Sequence, residues 1–427
     1  MTSFRFYLLV AVLLVAIAIV DWKIFGVPGT KTSPPATVAT TPASIATPVP
    51  APAPAAEAPT PAANNNAPPY LGVYRWGQGG CVKGLYTDYN AWINRNAIWP
   101  VDFMPTETWD GLEGQQWQLG TWEAYIQKQP GRRLILSVPL LPGSWDGKGP
   151  WKGIEAKKPV SFEEGAKGAY NLHFQHLAEN LVKYRLGDSL LRLGWEFNGG
   201  WYTWRAPTAA KARAYAEYFH QIVTTMRAVP GAENLKFIWN PANEPWWPYP
   251  PETAWPGNDV VDYVGVDCYD QSWQKDTYPI PPMADAAETS KRREATWKNV
   301  TANEQKTGLD FWVKFAATHG KPLVIPEWGV CVRKDQHGGG DSAYFIQQMH
   351  DFIYNPANNV YFAAYFDVSA GDGDHRLIPE PDAKNPGTFK ESHLPEAAAK
   401  FRELFVYRDG ATASETAPKA SAIAAKP

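Results

Sequence analysis

Eight short runs rich in β-branched and aromatic residues recur along this chain, with helix-patterned stretches between them. The runs are Tyr70–Trp76, Ala97–Met104, Arg133–Leu140, Leu190–Phe197, Lys236–Asn240, Val260–Tyr269, Pro322–Trp328 and Val360–Phe366. The helical stretches include Glu163–Tyr184, Ala209–Val229, Asp310–His319 and Ser342–Ile353. Strand–helix alternation implies parallel strands joined by crossover helices. Eight repeats of that unit predict an α/β fold, a (β/α)8 TIM barrel, spanning residues 70–407.

The flanks have a different composition. Residues 1–27 hold an unbroken apolar run from Phe6 to Val20, which reads as a signal anchor or a signal peptide. The run is shorter than the ~20 residues of a comfortable membrane span. It nevertheless continues through the cleavage-like Ala16-Ile17-Ala18, which favours an anchor. Residues 28–69 are dominated by Pro, Ala and Thr and predict an extended, disordered linker; residues 408–427 predict a disordered tail. Together these features predict an extracytoplasmic domain anchored to a bacterial cytoplasmic membrane, or secreted if the leader is cleaved. Membrane contact is expected through the N-terminal segment only, and the domain is expected to be a monomer. A net charge of −3 leaves no basic excess to attract nucleic acid. Three cysteines make no disulfide framework, although a bridge between Cys81 and Cys331 stays open. No Cys/His spacing suggests a metal, and no cofactor motif is present.

In a barrel of this type, reactive groups gather where strands end at the C-terminal face. Here those ends are rich in carboxylates, amides and aromatic rings. Glu196 closes the fourth run and Glu327 the seventh, so the two stand across the barrel mouth from each other. Cleaving a glycosidic bond requires such a pair of carboxyl groups flanking it. Arg192 shares a strand face with Glu196, which sends it into the barrel, where a buried guanidinium must meet a carboxylate. Gly194 leaves room for that side chain. By the same alternation Asp267 and Tyr269 share a face. The chain holds 20 Trp, and flat rings suit sugar faces. Trp204 and Trp328, beside the two Glu residues in sequence, are the first candidates, followed by Trp76, Trp201, Trp246, Trp247 and Trp273. Asn198, His375 and Asp367 are polar strand-end groups suited to sugar hydroxyls. Glu244, in Asn243-Glu244-Pro245, competes for the acid/base role, but it follows the fifth run by several residues.

These strand ends resemble glycoside hydrolase family 26, and more broadly the barrel clan with its acid/base after strand four and its nucleophile after strand seven. The most specific segment is Arg192-Leu193-Gly194-Trp195-Glu196-Phe197-Asn198-Gly199, followed by Trp201 and Trp204. The family has His before the acid/base, where this chain has Trp195. The resemblance implies that Glu196 is the general acid/base, that Glu327, in Pro326-Glu327-Trp328-Gly329, is the nucleophile, and that Tyr269 hydrogen-bonds it. It implies a retaining, endo-acting hydrolase of a β-linked polysaccharide. Mannan is the first substrate, with β-glucan, β-xylan or an exopolysaccharide behind it. A non-catalytic polysaccharide-binding protein and a transglycosylase are the other readings. For the tether, the expected outcome is that protease added to spheroplasts releases a soluble, active domain beginning near Tyr70. A freely secreted chain starting near Ile19 would show a cleaved leader instead.

Overall fold

The computed structural model describes residues 69–75, 85–94, 98–143, 160–245, 247–303, 307–379 and 392–405. The expected anchor, most of the linker, the tail, and the residues Trp76, Cys81 and Trp246 lie outside these segments. Among the described residues no helix is long and apolar enough to cross a membrane.

All eight expected strands are present: β1 Tyr70–Tyr74, β2 Trp99–Phe103, β3 Ile135–Val138, β4 Leu190–Leu193, β5 Lys236–Trp239, β6 Tyr263–Gly265, β7 Leu323–Gly329 and β8 Val360–Phe366. Each pairs in parallel with its sequence neighbour, and β8 also pairs with β1, which closes the barrel. Residues of β2, β3, β4 and β7 are buried throughout, as expected for strands covered on both faces. Gly72 in β1 shows how tightly the strands sit, because a Cβ there would lie 2.9 Å from the Cβ of Ala364 in β8.

The helices follow sequence cues. Thr208 caps Ala209–Arg227 by accepting a bond from the Lys211 amide. That helix buries Ala212, Tyr215, Phe219, Ile222 and Met226, a stripe at helical spacing facing the strands. The predicted helix Glu163–Tyr184 is instead two, Phe162–Ala166 and Asn171–Lys183. The break falls at Gly168, whose φ of +87° ends the first segment.

Two strands depart from their expected extents in ways that shape the barrel mouth. The fourth was expected to run to Phe197 but ends at Leu193, because Gly194 and Glu196 adopt left-handed φ of +53° and +51°. The turn is pinned at both edges: the Gly194 amide donates to Val138 O (2.9 Å) and the Glu196 amide to Asn240 O (2.7 Å). The space beside Gly194 does not serve Arg192, as expected from sequence, but Leu140 and Tyr215. The sixth run breaks after Gly265 and resumes as a two-residue pairing, Cys268–Tyr269 with Trp328–Gly329.

The resumed pairing exposes a bulge in β7. Gly265 pairs with Val324 and Cys268 with Trp328. On the other side Ala363 pairs with Ile325 and Tyr365 with Trp328. Against both neighbours β7 carries one residue more, and the stretch concerned contains Pro326-Glu327. Proline has no N–H for the ladder, so a bulge is where a strand tolerates it, and the kink re-aims the adjacent side chain. For the turn after β4, Gly194→Ala should destabilise the domain by at least about 1–3 kcal/mol, the cost of a side chain in a left-handed conformation. Its Cβ would also meet Leu140 Cγ at 2.6 Å. Denaturant unfolding measures this; an unchanged midpoint would show that the turn is not strained by a side chain.

Candidate active site

Arg192 enters the barrel from β4 and is completely buried. Its guanidinium contacts both neighbouring strands or their ends, β3 and β5, and reaches across to the sixth strand and β7. Nη2 donates to Asp267 Oδ2 at 2.5 Å, Nη1 to Glu327 Oε1 at 2.7 Å and Ser137 Oγ at 2.9 Å, and Nε to Asn240 Oδ1 at 3.0 Å. Burial opposes the charge, but Asp267 and Glu327 more than offset that and hold the guanidinium above its ordinary pKa. Sequence alternation anticipated one carboxylate partner; the structure supplies two. Asp267 was not singled out as a site residue, although it shares a face with Tyr269 and lies one step deeper.

The remaining Glu327 oxygen, Oε2, accepts from Tyr269 Oη at 2.6 Å. Both oxygens are thereby fixed by donors, one charged and one neutral. Glu196 is in a different setting. It sits on the turn after β4, half-buried, and its Oε2 accepts from the Trp201 indole N–H at 2.7 Å. Burial, and then the negative charge of Glu327, push its carboxyl up to about 8, while Trp201 and Arg192 pull the other way. An oxygen of Glu196, one of Asp267 and one of Glu327 lie within 4.8 Å of one another. Glu196 and Glu327 open on one cleft of roughly 810 Å³, lined also by Trp201, Tyr202, Glu244, Gln271, Trp273 and His375. Glu244 lies on the loop after β5, as the strand count placed it. Burial pushes its carboxyl up to about 7 and Arg333 pulls it down.

A sequence model of glycosyl hydrolase family 26 matches residues 169–289, the stretch that contains Arg192, Glu196, Asp267 and Tyr269. Over that stretch, less than half of its length, the chain is similar to glycosyl hydrolase family 26. A mannan endo-1,4-beta-mannosidase of Bifidobacterium adolescentis is 24% identical to it over 255 residues, covering 56% of this chain and 23% of that protein. The chain thus spans less than a quarter of the length of that curated relative. Among solved structures, a modular endo-β-1,4-mannanase of Cellulomonas fimi superposes with a TM-score of 0.50 at 18% identity, covering 78% of this chain and 70% of that one. GH26C of Muricauda sp. MAR_2010_75 superposes with a TM-score of 0.50 at 15% identity, covering 80% of this chain and 86% of that one. At such identities these likenesses bear on fold, and they agree with the closed barrel.

Several residues expected to touch a sugar do not face the cleft. Trp204 is 1% exposed. Its N–H donates to Trp195 O at 2.8 Å and its ring stacks on Tyr202 at 4.4 Å. Trp328 is also 1% exposed and packs on Tyr365, Phe401 and Phe405. It follows Glu327 directly, and successive strand side chains point to opposite faces. Asp367 is buried, paired with Arg75, and accepts the Leu377 and Ile378 amides at 2.6 and 3.3 Å. Asn198 clamps the backbone of Ala242, donating to its O at 3.0 Å and accepting from its N at 2.9 Å. Trp201, by contrast, is 40% exposed and lines the cleft, as does Trp273 at 50%. Trp195, where the family has His, is buried and donates to Tyr202 Oη at 2.9 Å. Trp204→Ala should therefore cost about 3–5 kcal/mol of stability, read by denaturant unfolding, with little change in KM for the protein that stays folded. Trp201→Ala should show the opposite pattern, and a raised KM with unchanged stability for Trp204→Ala would reverse the assignment.

Proposed function

We propose that this domain is a retaining, endo-acting hydrolase of a β-linked polysaccharide, with Glu196 as general acid/base and Glu327 as nucleophile. The observation that carries the reading is the close approach of the two carboxyls. Retaining enzymes hold them about 5–5.5 Å apart, while inverting enzymes need roughly 6.5–9.5 Å to admit a water. A closest oxygen approach within 4.8 Å fits the first class.

The two settings support different roles. Glu196, with its carboxyl near 8, keeps its proton at neutral pH and can donate it to the departing glycosidic oxygen. Glu327, steadied by Arg192 and Tyr269, attacks the anomeric carbon and forms a covalent glycosyl–enzyme. Once Glu327 is esterified, its charge no longer raises the Glu196 pKa. Glu196 then gives up its proton more readily and serves as the base that activates water. The double displacement returns the original anomeric configuration. Trp201, exposed and bonded to the acid/base, supplies a ring beside the scissile bond. Mannan is the first substrate to try, since the B. adolescentis and C. fimi relatives carry mannanase names. We place the domain outside the cytoplasmic membrane, on the strength of the apolar start and Pro-rich linker.

Two measurements test the reading. In the first, Glu327→Ala abolishes turnover on β-mannan, and azide restores some with inverted product. Glu196→Ala falls about 10²–10⁴-fold on the polysaccharide but keeps activity on substrates with good leaving groups, and azide gives a product of retained configuration. Rescue at Glu244→Ala rather than Glu196→Ala would move the acid/base to the loop after β5. In the second, kcat/KM is followed against pH. The acid must be protonated, so activity is lost as pH rises through about 8. Trp201→Phe removes a bond to the carboxylate form and shifts that limb upward. Glu244→Gln removes a neighbouring negative charge and shifts it downward. A basic limb indifferent to both substitutions would mean that Glu196 does not set it.

A further inference from the structure

The segments that leave β7 and β8 meet beside the cleft. Val332–Arg333 pairs antiparallel with Gly373–Asp374. This pairing brings together three residues of different chemistry: Cys331, Asp372 and His375. Cys331 and His375 are buried and Asp372 is exposed. One sulfur, one carboxylate oxygen and one ring nitrogen lie within 4.8 Å of one another.

The histidine is oriented as a ligand would be. Its Nδ1 lies 2.9 Å from Val330 O. A carbonyl oxygen only accepts, so Nδ1 carries the proton and Nε2 presents its lone pair. Nε2 stands 3.4 Å from Cys331 Sγ and 3.5 Å from Asp372 Oδ1. Tetrahedral zinc, at about 2.3 Å from sulfur and roughly 2.0–2.2 Å from nitrogen and oxygen, sets ligand–ligand edges of about 3.5 Å for N–S and about 3.3 Å for N–O. Both observed separations match those edges. The other Asp372 oxygen, Oδ2, accepts from Arg333 Nη1 at 2.9 Å, so the carboxylate is steered from outside as well.

We propose that Cys331, Asp372 and His375 bind one zinc-class divalent metal ion at the cleft wall, with its remaining coordination position open to solvent. A thiolate and an imidazole select zinc, cobalt or cadmium over magnesium or calcium. Binding exchanges the Cys331 S–H bond for a metal–sulfur bond and releases the thiol proton to solvent. The ion ties the segment after β7 to the segment after β8. The His375 ring lies 5.1 Å from the Tyr269 ring, so the tie stiffens the wall behind the residue that bonds Glu327. The proposal does not depend on which polysaccharide is cleaved, or on whether any is.

The test uses the full chain, stripped with a chelator and titrated with Co(II), whose bond to a thiolate gives a charge-transfer absorption band. One equivalent should produce the band, Zn(II) should abolish it by displacement, and Zn(II) should raise the melting temperature. Cys331→Ser should lose the band, while Cys81→Ser and Cys268→Ser keep it. Asp372→Asn, at an exposed side chain, should weaken binding, and Arg333→Gln should weaken it about 10–100-fold. Folded wild type that gives no band would overturn the site, as would a band that survives in Cys331→Ser. If Cys331→Ser does not fold, Asp372→Asn decides: affinity equal to wild type rules the site out.

Discussion

A guanidinium with no access to water anchors the interior of this barrel. Taking such an ion out of water costs several kcal/mol even after relaxation, and only close, well-directed partners offset it. Arg192 finds them on β3, on the segment after β5, on the interrupted sixth strand and on β7. Those strands must therefore reach fixed positions for the charge to be tolerated at all, and removing both carboxylates would leave an uncompensated buried ion. Two of the positions so fixed belong to the cleft: Glu327 directly, and Tyr269 two residues beyond Asp267.

Glu196 is governed by the opposite condition. It hangs on a left-handed turn outside the ladder, held by its amide to Asn240 O. Asn240 also accepts from Arg192 through its side chain, so one residue sets the height of both groups. The result is two carboxyls within a few ångströms in unlike surroundings. One faces a charged donor and a hydroxyl; the other faces an indole N–H and the first one's negative charge. The contrast in surroundings, rather than any difference in residue type, separates the roles assigned to them.

Much of this was readable from the chain. The eight strands were legible because strands buried on both faces are nearly continuous apolar runs, and such runs survive any error at their ends. That Glu196 and Glu327 share one cleft was legible because the strand ends of this architecture gather at one mouth. What failed was the reading of side chains by proximity in sequence. Trp328 adjoins Glu327 and for that reason points the other way, a consequence of pleating that the sequence does contain. Trp204 sits eight residues past Glu196 on a loop that folds back, and nothing in its neighbours distinguishes a core ring from a cleft ring. Asp367 and Asn198 looked like hydroxyl binders because polar strand-end residues serve equally to fasten loops. The meeting of Cys331 with Asp372 and His375 left no trace in spacing, since its members come from two strand ends brought together by the barrel's closure.

The bulge at Pro326-Glu327 bears on anyone who would transplant this strand. A slip of one residue in pairing turns every later side chain to the other face. A designer who copied β7 onto a new barrel in unbroken register with both neighbours would preserve the amino acids and lose the geometry. Glu327 would face the surrounding helices, and Trp328 would occupy the mouth. The transferable unit is therefore the strand together with its surplus residue. In any comparison of such barrels, that surplus should be counted as part of the site, not as an insertion to be aligned away.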